Sequence, residues 1–73
     1  MKEKVYKKVE IVGISEKSVS DAIAEAIKKT SETVRNLRWF EVTEIRGAIK
    51  TNKPVFQVTL KIGFRVEEGK AKK

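Results

Sequence analysis

Hydrophobic and polar positions divide the chain into four segments with different periodicities. Residues 5–14 are rich in β-branched side chains and lead to Gly13, which predicts a first strand. Between residues 15 and 37, apolar positions recur at spacings of three and four, which predicts one amphipathic helix. Ser15 or Ser18 can cap the start of this helix, with Asp21 in a variant capping box, and Asn36 is its predicted end. The predicted apolar stripe consists of Val19, Ile23, Ala26, Ile27, Thr30, Val34 and Leu37.

The second half of the chain predicts two strands, residues 38–50 and 55–67, joined by a turn at residues 51–54. In the turn, Asn52 tolerates a left-handed backbone and Pro54 is expected to stop strand pairing. The last strand alternates strictly, so one face should carry Phe56, Val58, Leu60, Ile62, Phe64 and Val66. The β-α-β-β order predicts an α+β fold: a three-stranded antiparallel sheet partly wrapped around one amphipathic helix.

A hairpin centred on Asn52 also predicts which residues lie opposite each other. It places Phe40 opposite Phe64 and Val42 opposite Ile62 on the face toward the helix. Trp39 then lies opposite Arg65 on the uncovered face.

The same register places Glu44 on the core face and gives Ile45 and Ile49 the wrong parity for that face. One extra residue near Thr43 or Glu44 would correct both problems and return the two isoleucines to the core. We therefore predict a β-bulge there, a feature that is common near binding sites.

Trp39 is the most informative side chain on the uncovered face, which it shares with Gln57, Thr59 and Arg65. A large indole on such a face anchors a protein interface, stacks on a ligand or is merely exposed. The residues alone leave these three interpretations open.

Composition narrows the biological setting. The chain has 73 residues with no cysteine and no histidine, which fits one domain whose thin core lacks disulfides. We expect self-assembly to supply the missing burial. No apolar run suits a signal peptide or a membrane span, so a cytoplasmic protein is expected. Residues 69–73 are expected to be a disordered basic tail.

The formal net charge of +7 favours an anionic ligand or partner, although several of the lysines crowd the two ends and suit an ordinary solvated surface. A small basic nucleic-acid-binding module is the alternative function, but Trp39 offers only one stacking ring on the open face. We see no catalytic constellation and no metal-ligating cluster, so an enzyme is not expected.

Three segments together resemble the bacterial type of dodecin. They are residues 9–13 (VEIVG), residues 38–47 (RWFEVTEIRG) and residues 56–66 (FQVTLKIGFRV). None is decisive alone, but their order and spacing are specific, and the similarity extends from about residue 6 to residue 67.

The resemblance implies a hollow homododecamer that binds flavins in pairs at two-fold contacts between subunits. Trp39 matches the tryptophan that sandwiches the two isoalloxazine rings with its symmetry mate. Gln57 matches a glutamine that hydrogen-bonds the polar edge of the flavin, and Arg46 is implied to shape the pocket. Glu44 and Arg65 are further candidates for flavin binding.

The implied function is flavin storage and sequestration that limits flavin photochemistry, without catalysis. FMN is the preferred ligand, riboflavin and FAD are alternatives, and coenzyme A is a candidate for a separate site. Structural alternatives remain for the polar candidates. Gln57 suits a solvent-facing strand position, Arg46 and Glu44 suit an ion pair between subunits, and Arg65 suits a pair with Glu67 or Glu41.

Overall fold

The computed structural model describes residues 5–66, so the predicted tail at residues 69–73 lies outside the described part of the chain. The elements follow the order β1 (Tyr6–Ser15), α1 (Val19–Ser31), β2 (Leu37–Lys50) and β3 (Lys53–Arg65). The strands form one antiparallel sheet in the order β1-β3-β2, so the last strand is central. The predicted β-α-β-β order and α+β class are confirmed. Within residues 5–66, no helix is long and apolar enough to cross a membrane.

Ser18 is the residue that caps α1. Its hydroxyl accepts a hydrogen bond from the backbone N–H of Asp21 at 2.9 Å, which satisfies one of the free donors of the first turn. Ser15 lies at the end of β1 instead, where its hydroxyl donates to the Asp21 carboxylate at 2.7 Å. Ser18 is therefore the helix cap, and Ser15 binds the side chain of Asp21 in the first turn.

The C-terminal end of α1 lies at Ser31, so the predicted extension to Asn36 is wrong. Hydroxyl groups bond to backbone carbonyls here: Thr30 donates to the Ala26 carbonyl at 2.8 Å and Ser31 to the Lys28 carbonyl at 2.7 Å. Such side chains offer the backbone alternatives to a regular helix. Asn36, with φ of 65°, then turns the chain into β2.

Small residues bring α1 close to the sheet. Its buried positions are Ala22, Ala26 and Thr30, of which the predicted stripe contained Ala26 and Thr30 but not Ala22. The stripe isoleucines, Ile23 and Ile27, are only partly buried. The helix approaches β1 at Gly13, where an added Cβ would overlap the Ala22 carbonyl oxygen. The hydrophobic core comprises Ala22, Ala26, Val58, Leu60 and Ile62.

The hairpin contains the predicted bulge but has a different register. Pairing shifts between Val42 and Glu44, so Thr43 is the extra residue, and its hydroxyl donates to the Thr59 carbonyl at 3.2 Å. Trp39 lies opposite Gly63 instead of Arg65. The error equals two residues of β3, and therefore the predicted face of Trp39 is still correct.

The turn accounts for one residue of this error, and the bulge accounts for the other. Thr51 and Asn52 both have left-handed backbones, with φ of 51° and 62°, and Lys50 pairs directly with Lys53. A two-residue turn of this kind matches the twist of a hairpin. The expectation that Pro54 stops pairing is wrong, because Pro54 lies opposite Ile49. The residue is tolerated because β1 pairs only as far as Phe56, so β3 has one neighbour at Pro54.

Strand β2 carries an uncovered apolar stripe on its helix-side face. The helix packs on β1 and β3 and leaves β2 beside it. Ile45 lies opposite Val58, which gives it the parity predicted for the core, yet it is 58% exposed and Ile49 is 82% exposed. The expectation that both isoleucines are buried is therefore wrong for a single chain. The stripe consists of Phe40, Val42, Ile45 and Ile49.

Candidate functional site

The helix-free face of the sheet carries all five residues that the sequence singled out. Their positions follow from the pairing register, because residues that lie opposite each other on antiparallel strands point to the same face. They form two groups at different positions along β3, and the group around Trp39 also contains residues that the sequence did not single out.

The first group is built around the Trp39 indole. The ring lies across the backbone of Gly63, where an added Cβ would overlap the indole carbons Cζ2, Cε2 and Cη2. Tyr6 on β1 meets the indole edge to face, with ring centroids 5.4 Å apart and planes inclined by 65°. Trp39 remains 40% exposed. One face of the ring therefore rests on the sheet, and a substantial part of the indole is accessible to a ligand.

A charged pair borders the indole. Lys8 donates a hydrogen bond to the Glu41 carboxylate at 2.8 Å, and this bond together with the charge of Lys8 lowers the pKa of Glu41. A side-chain hydrogen bond from Trp39 lowers the pKa of Glu41 further. Glu41 therefore interacts with Trp39 as well as with Lys8, on the same face of the sheet.

Arg65 belongs to the first group as well. It lies opposite Tyr6, and its backbone N–H donates to the Asn36 carbonyl at 3.0 Å. The sequence suggested Glu41 or Glu67 as its ion-pair partner. The carboxylate of Glu41 bonds Lys8 in this structure, and Glu67 lies outside the described residues.

The second group contains the other polar candidates. Arg46 lies opposite Gln57, and Glu44 lies opposite Thr59 next to the bulge. Gln57 and Gly63 are six residues apart on β3, which corresponds to roughly 20 Å along an extended strand. Within one chain, the structure therefore brings Arg46, Gln57 and Glu44 together but leaves them far from Trp39.

Sequence reasoning missed four residues around the indole: Tyr6, Lys8, Glu41 and Gly63 as members of one site. A signal for Gly63 was present, because a glycine interrupts a strand that otherwise alternates between large side chains. The two-residue register error hid its meaning, since it placed Arg65 opposite Trp39. Among residues 5–66, no group of three or more acidic side chains is arranged to hold a metal ion.

Comparison with known proteins places this geometry in a family. A family model described as Dodecin matches residues 5–67. A dodecin from Thermus thermophilus is 52% identical over 66 residues, which cover 89% of this chain and 96% of that protein.

Solved structures agree with the sequence match. A Thermus thermophilus protein of known structure superposes with a TM-score of 0.85 at 51% identity, covering 88% of this chain and 96% of the other. The dodecin from Streptomyces coelicolor superposes with a TM-score of 0.88 at 43% identity, covering 94% of this chain and 100% of the other. The chain therefore belongs to the dodecin family of small, dodecameric flavin-binding proteins.

Proposed function

We propose that this protein stores and sequesters FMN in a homododecamer, with flavin pairs stacked between Trp39 side chains of two-fold-related chains. The observation that carries the proposal is the Trp39 indole, which lies flat on Gly63 with its outer part exposed on the helix-free face. This arrangement limits flavin photochemistry, because an electron-rich indole in contact with an excited flavin returns it rapidly to the ground state by electron transfer.

A single indole covers only one face of a flavin, so the second face needs another partner. A two-fold axis duplicates every contact, and one tryptophan in each chain then supplies both outer walls of a sandwich. Two flavins fill the space between the walls. The sequence contains one tryptophan, which matches this requirement.

The distance between the two residue groups supports an intersubunit site. Roughly 20 Å of strand separates Gln57 from Gly63 beneath the indole, which is longer than an isoalloxazine ring. A flavin that stacks on Trp39 therefore takes its contact with Gln57 from another chain. The Gln57 amide offers donors and an acceptor for the pyrimidine edge of the flavin, and the planar Arg46 guanidinium suits ring stacking or a phosphate.

FMN is the proposed ligand because the chain is basic, with a formal net charge of +7, and FMN adds a phosphate to the aromatic ring. Riboflavin and FAD share the isoalloxazine ring and are the competing flavins. Coenzyme A, which lacks that ring, is proposed to bind away from Trp39. Arg65 and Glu44 are proposed to contact the flavin from the edges of the two groups.

We propose binding without catalysis. Each flavin of the pair lies between one indole and the second flavin, which leaves no open ring face on which a substrate could react. The alternative of a nucleic-acid-binding module is less well supported, since Tyr6 packs edge-on against Trp39 and the two rings form one stacking surface instead of two.

Titration of FMN with the protein tests the proposal. Wild type should strongly quench FMN fluorescence and slow the photobleaching of FMN under illumination. Trp39→Ala should abolish both effects, whereas Lys28→Ala on the exposed side of α1 should retain them. Equal quenching by wild type and Trp39→Ala would refute the stacking role. Tight binding of single-stranded oligonucleotides without flavin quenching would favour the alternative.

A further inference from the structure

Residue 63 lies beneath the Trp39 indole and is a glycine because a side chain there would overlap the ring. An added Cβ at residue 63 would approach three carbons of the indole to less than 3.0 Å, a separation that real Cβ atoms essentially never show. No described glycine has a positive φ, so the backbone at Gly63 does not itself require glycine. The side chain is absent because the indole occupies its volume.

A charged side chain lies next to Trp39 on the same strand. Glu41 is two residues from Trp39 on the same face of β2, its carboxylate accepts a hydrogen bond from Lys8 at 2.8 Å, and Trp39 also lowers its pKa. Lys8 lies opposite Gly63 on β1. The carboxylate is therefore fixed from the neighbouring side of the sheet, which limits how far the indole can rotate.

A third contact comes from Tyr6, whose ring meets the indole edge to face at 5.4 Å. Gly63 on β3, Glu41 on β2 and Tyr6 on β1 thus restrain one side chain from all three strands. Every restraint comes from the same chain as Trp39. These contacts restrain the plane of the ring within one subunit.

We propose that Gly63 and Glu41 are positioning residues that hold the Trp39 indole in its stacking orientation before the flavin binds. The inference rests on the proposed function, because it concerns the affinity of the same site. Ordering a side chain on binding costs free energy, and a ring that is already ordered avoids that cost. Loss of either restraint should weaken flavin binding even though neither residue supplies the stacking surface.

The single tryptophan makes the restraint measurable without flavin. Near-UV circular dichroism and time-resolved anisotropy of tryptophan emission report on Trp39 alone in this chain. In apo protein, Gly63→Ala should alter the dichroism and increase indole mobility. Its affinity for FMN should fall by about tenfold or more, whereas Glu41→Gln, which keeps the shape of the side chain, should lose about threefold.

Controls separate positioning from general damage. Glu10 lies on β1, opposite Lys61 and on the same helix-free face of the sheet as Glu41. Glu10→Gln therefore makes the same chemical change as Glu41→Gln and should leave FMN affinity and indole dichroism unchanged. If residue 63 must be glycine only because the indole occupies the space of a side chain, Gly63→Ala should destabilise the wild-type protein but not the Trp39→Ala variant. A double-mutant cycle detects this non-additivity.

Failure of this inference is distinguishable from failure of the proposed function. If wild type does not quench FMN, the flavin site itself is wrong. If wild type quenches FMN while Gly63→Ala and Glu41→Gln bind it equally well with unchanged indole dichroism, the positioning role is refuted and the flavin site stands. Additive stability losses in the double-mutant cycle would also refute the role of Gly63 as the floor of the indole.

Discussion

At the scale of single residues, the exposed indole of Trp39 is also a structural side chain. It covers Gly63, touches Tyr6 and lies two residues from Glu41 on the same face of β2, while remaining 40% exposed. A substitution that keeps an aromatic ring therefore tests more than stacking. Phenylalanine at residue 39 would retain a flat ring but lose the indole N–H, so its orientation would depend on packing alone.

The pH dependence of the indole should follow the ionisation of Glu41. Lys8 holds the pKa of Glu41 below its ordinary value of 4.5, so the charged carboxylate favours the folded arrangement. This contribution is fully present above pH 4.5 and is lost as the pH falls through the lower pKa of the folded state. We expect the near-UV dichroism of Trp39 to change in that acidic range.

Comparison of two variants tests whether Glu41 causes this acidic change in the dichroism of Trp39. Glu41→Gln cannot ionise at that position and should lack the acidic change, whereas Glu10→Gln should retain it. An identical acidic transition in Glu41→Gln and wild type would show that another carboxylate is responsible.

At the scale of elements, the position of α1 is decided by small residues instead of large ones. The buried positions Ala22, Ala26 and Thr30 allow the helix to approach Gly13 on β1, where the Ala22 carbonyl occupies the space of a side chain. Close approach of this kind leaves no room for relaxation, because the group in the way is backbone.

Gly13→Ala should therefore destabilise the fold by about 1–3 kcal/mol, as expected for overpacking of a well-packed interface. The added Cβ would overlap the Ala22 carbonyl oxygen and lie 3.0 Å from the Ala26 Cβ. Denaturant unfolding at a fixed protomer concentration measures the loss. Ala24→Gly, at an exposed position of α1, should cost no more than about 1 kcal/mol through helix propensity alone. Equal stability of Gly13→Ala and wild type would contradict the tight packing seen here.

At the scale of the whole molecule, the isolated chain leaves a large apolar surface uncovered. Phe40 is 46% exposed, and Ile45 and Ile49 continue the same stripe along β2 beyond the reach of the helix. Contiguous exposed apolar surface is unusual in monomers and marks an interface. The stripe lies on the opposite face of β2 from Trp39, so subunit packing and flavin stacking can use different faces of one strand.

Ile45→Asp should disrupt assembly. Wild type should sediment as a particle of roughly 100 kDa, as expected for 12 protomers of 8.3 kDa in a closed symmetric assembly. A carboxylate at residue 45 would be buried unpaired in the interface, which is costly, and smaller species should result. FMN quenching should also decrease in this variant, because the proposed flavin site needs two assembled chains.

Ala24→Asp introduces the same charge on the exposed side of α1 and should leave the large particle intact. A full-sized particle formed by Ile45→Asp would remove the β2 stripe from the assembly interface. A wild-type protein that sediments as a monomer or dimer at micromolar concentration would contradict the dodecamer itself.

The sequence by itself determined the order of elements, the face of each strand and a bulge near Thr43 or Glu44, because these depend on local periodicity and on parity along the hairpin. It also singled out Trp39, since a large indole at a position of that parity must lie on the helix-free face. A register error of two residues keeps each side chain on the same face of its strand. The predicted face of Trp39 was therefore correct, while its predicted neighbour was wrong.

The tertiary structure alone decided which residues touch. The helix α1 ends at Ser31, where hydroxyl groups bond to nearby carbonyls. The register of the hairpin depends on two left-handed residues in the turn and on the bulge. The exposure of the β2 stripe depends on where the helix lies, and the role of Gly63 depends on which ring crosses it. The first two results rest on hydrogen bonds and backbone angles between near neighbours, and the last two rest on contacts between residues far apart in the chain; hydrophobic periodicity encodes neither.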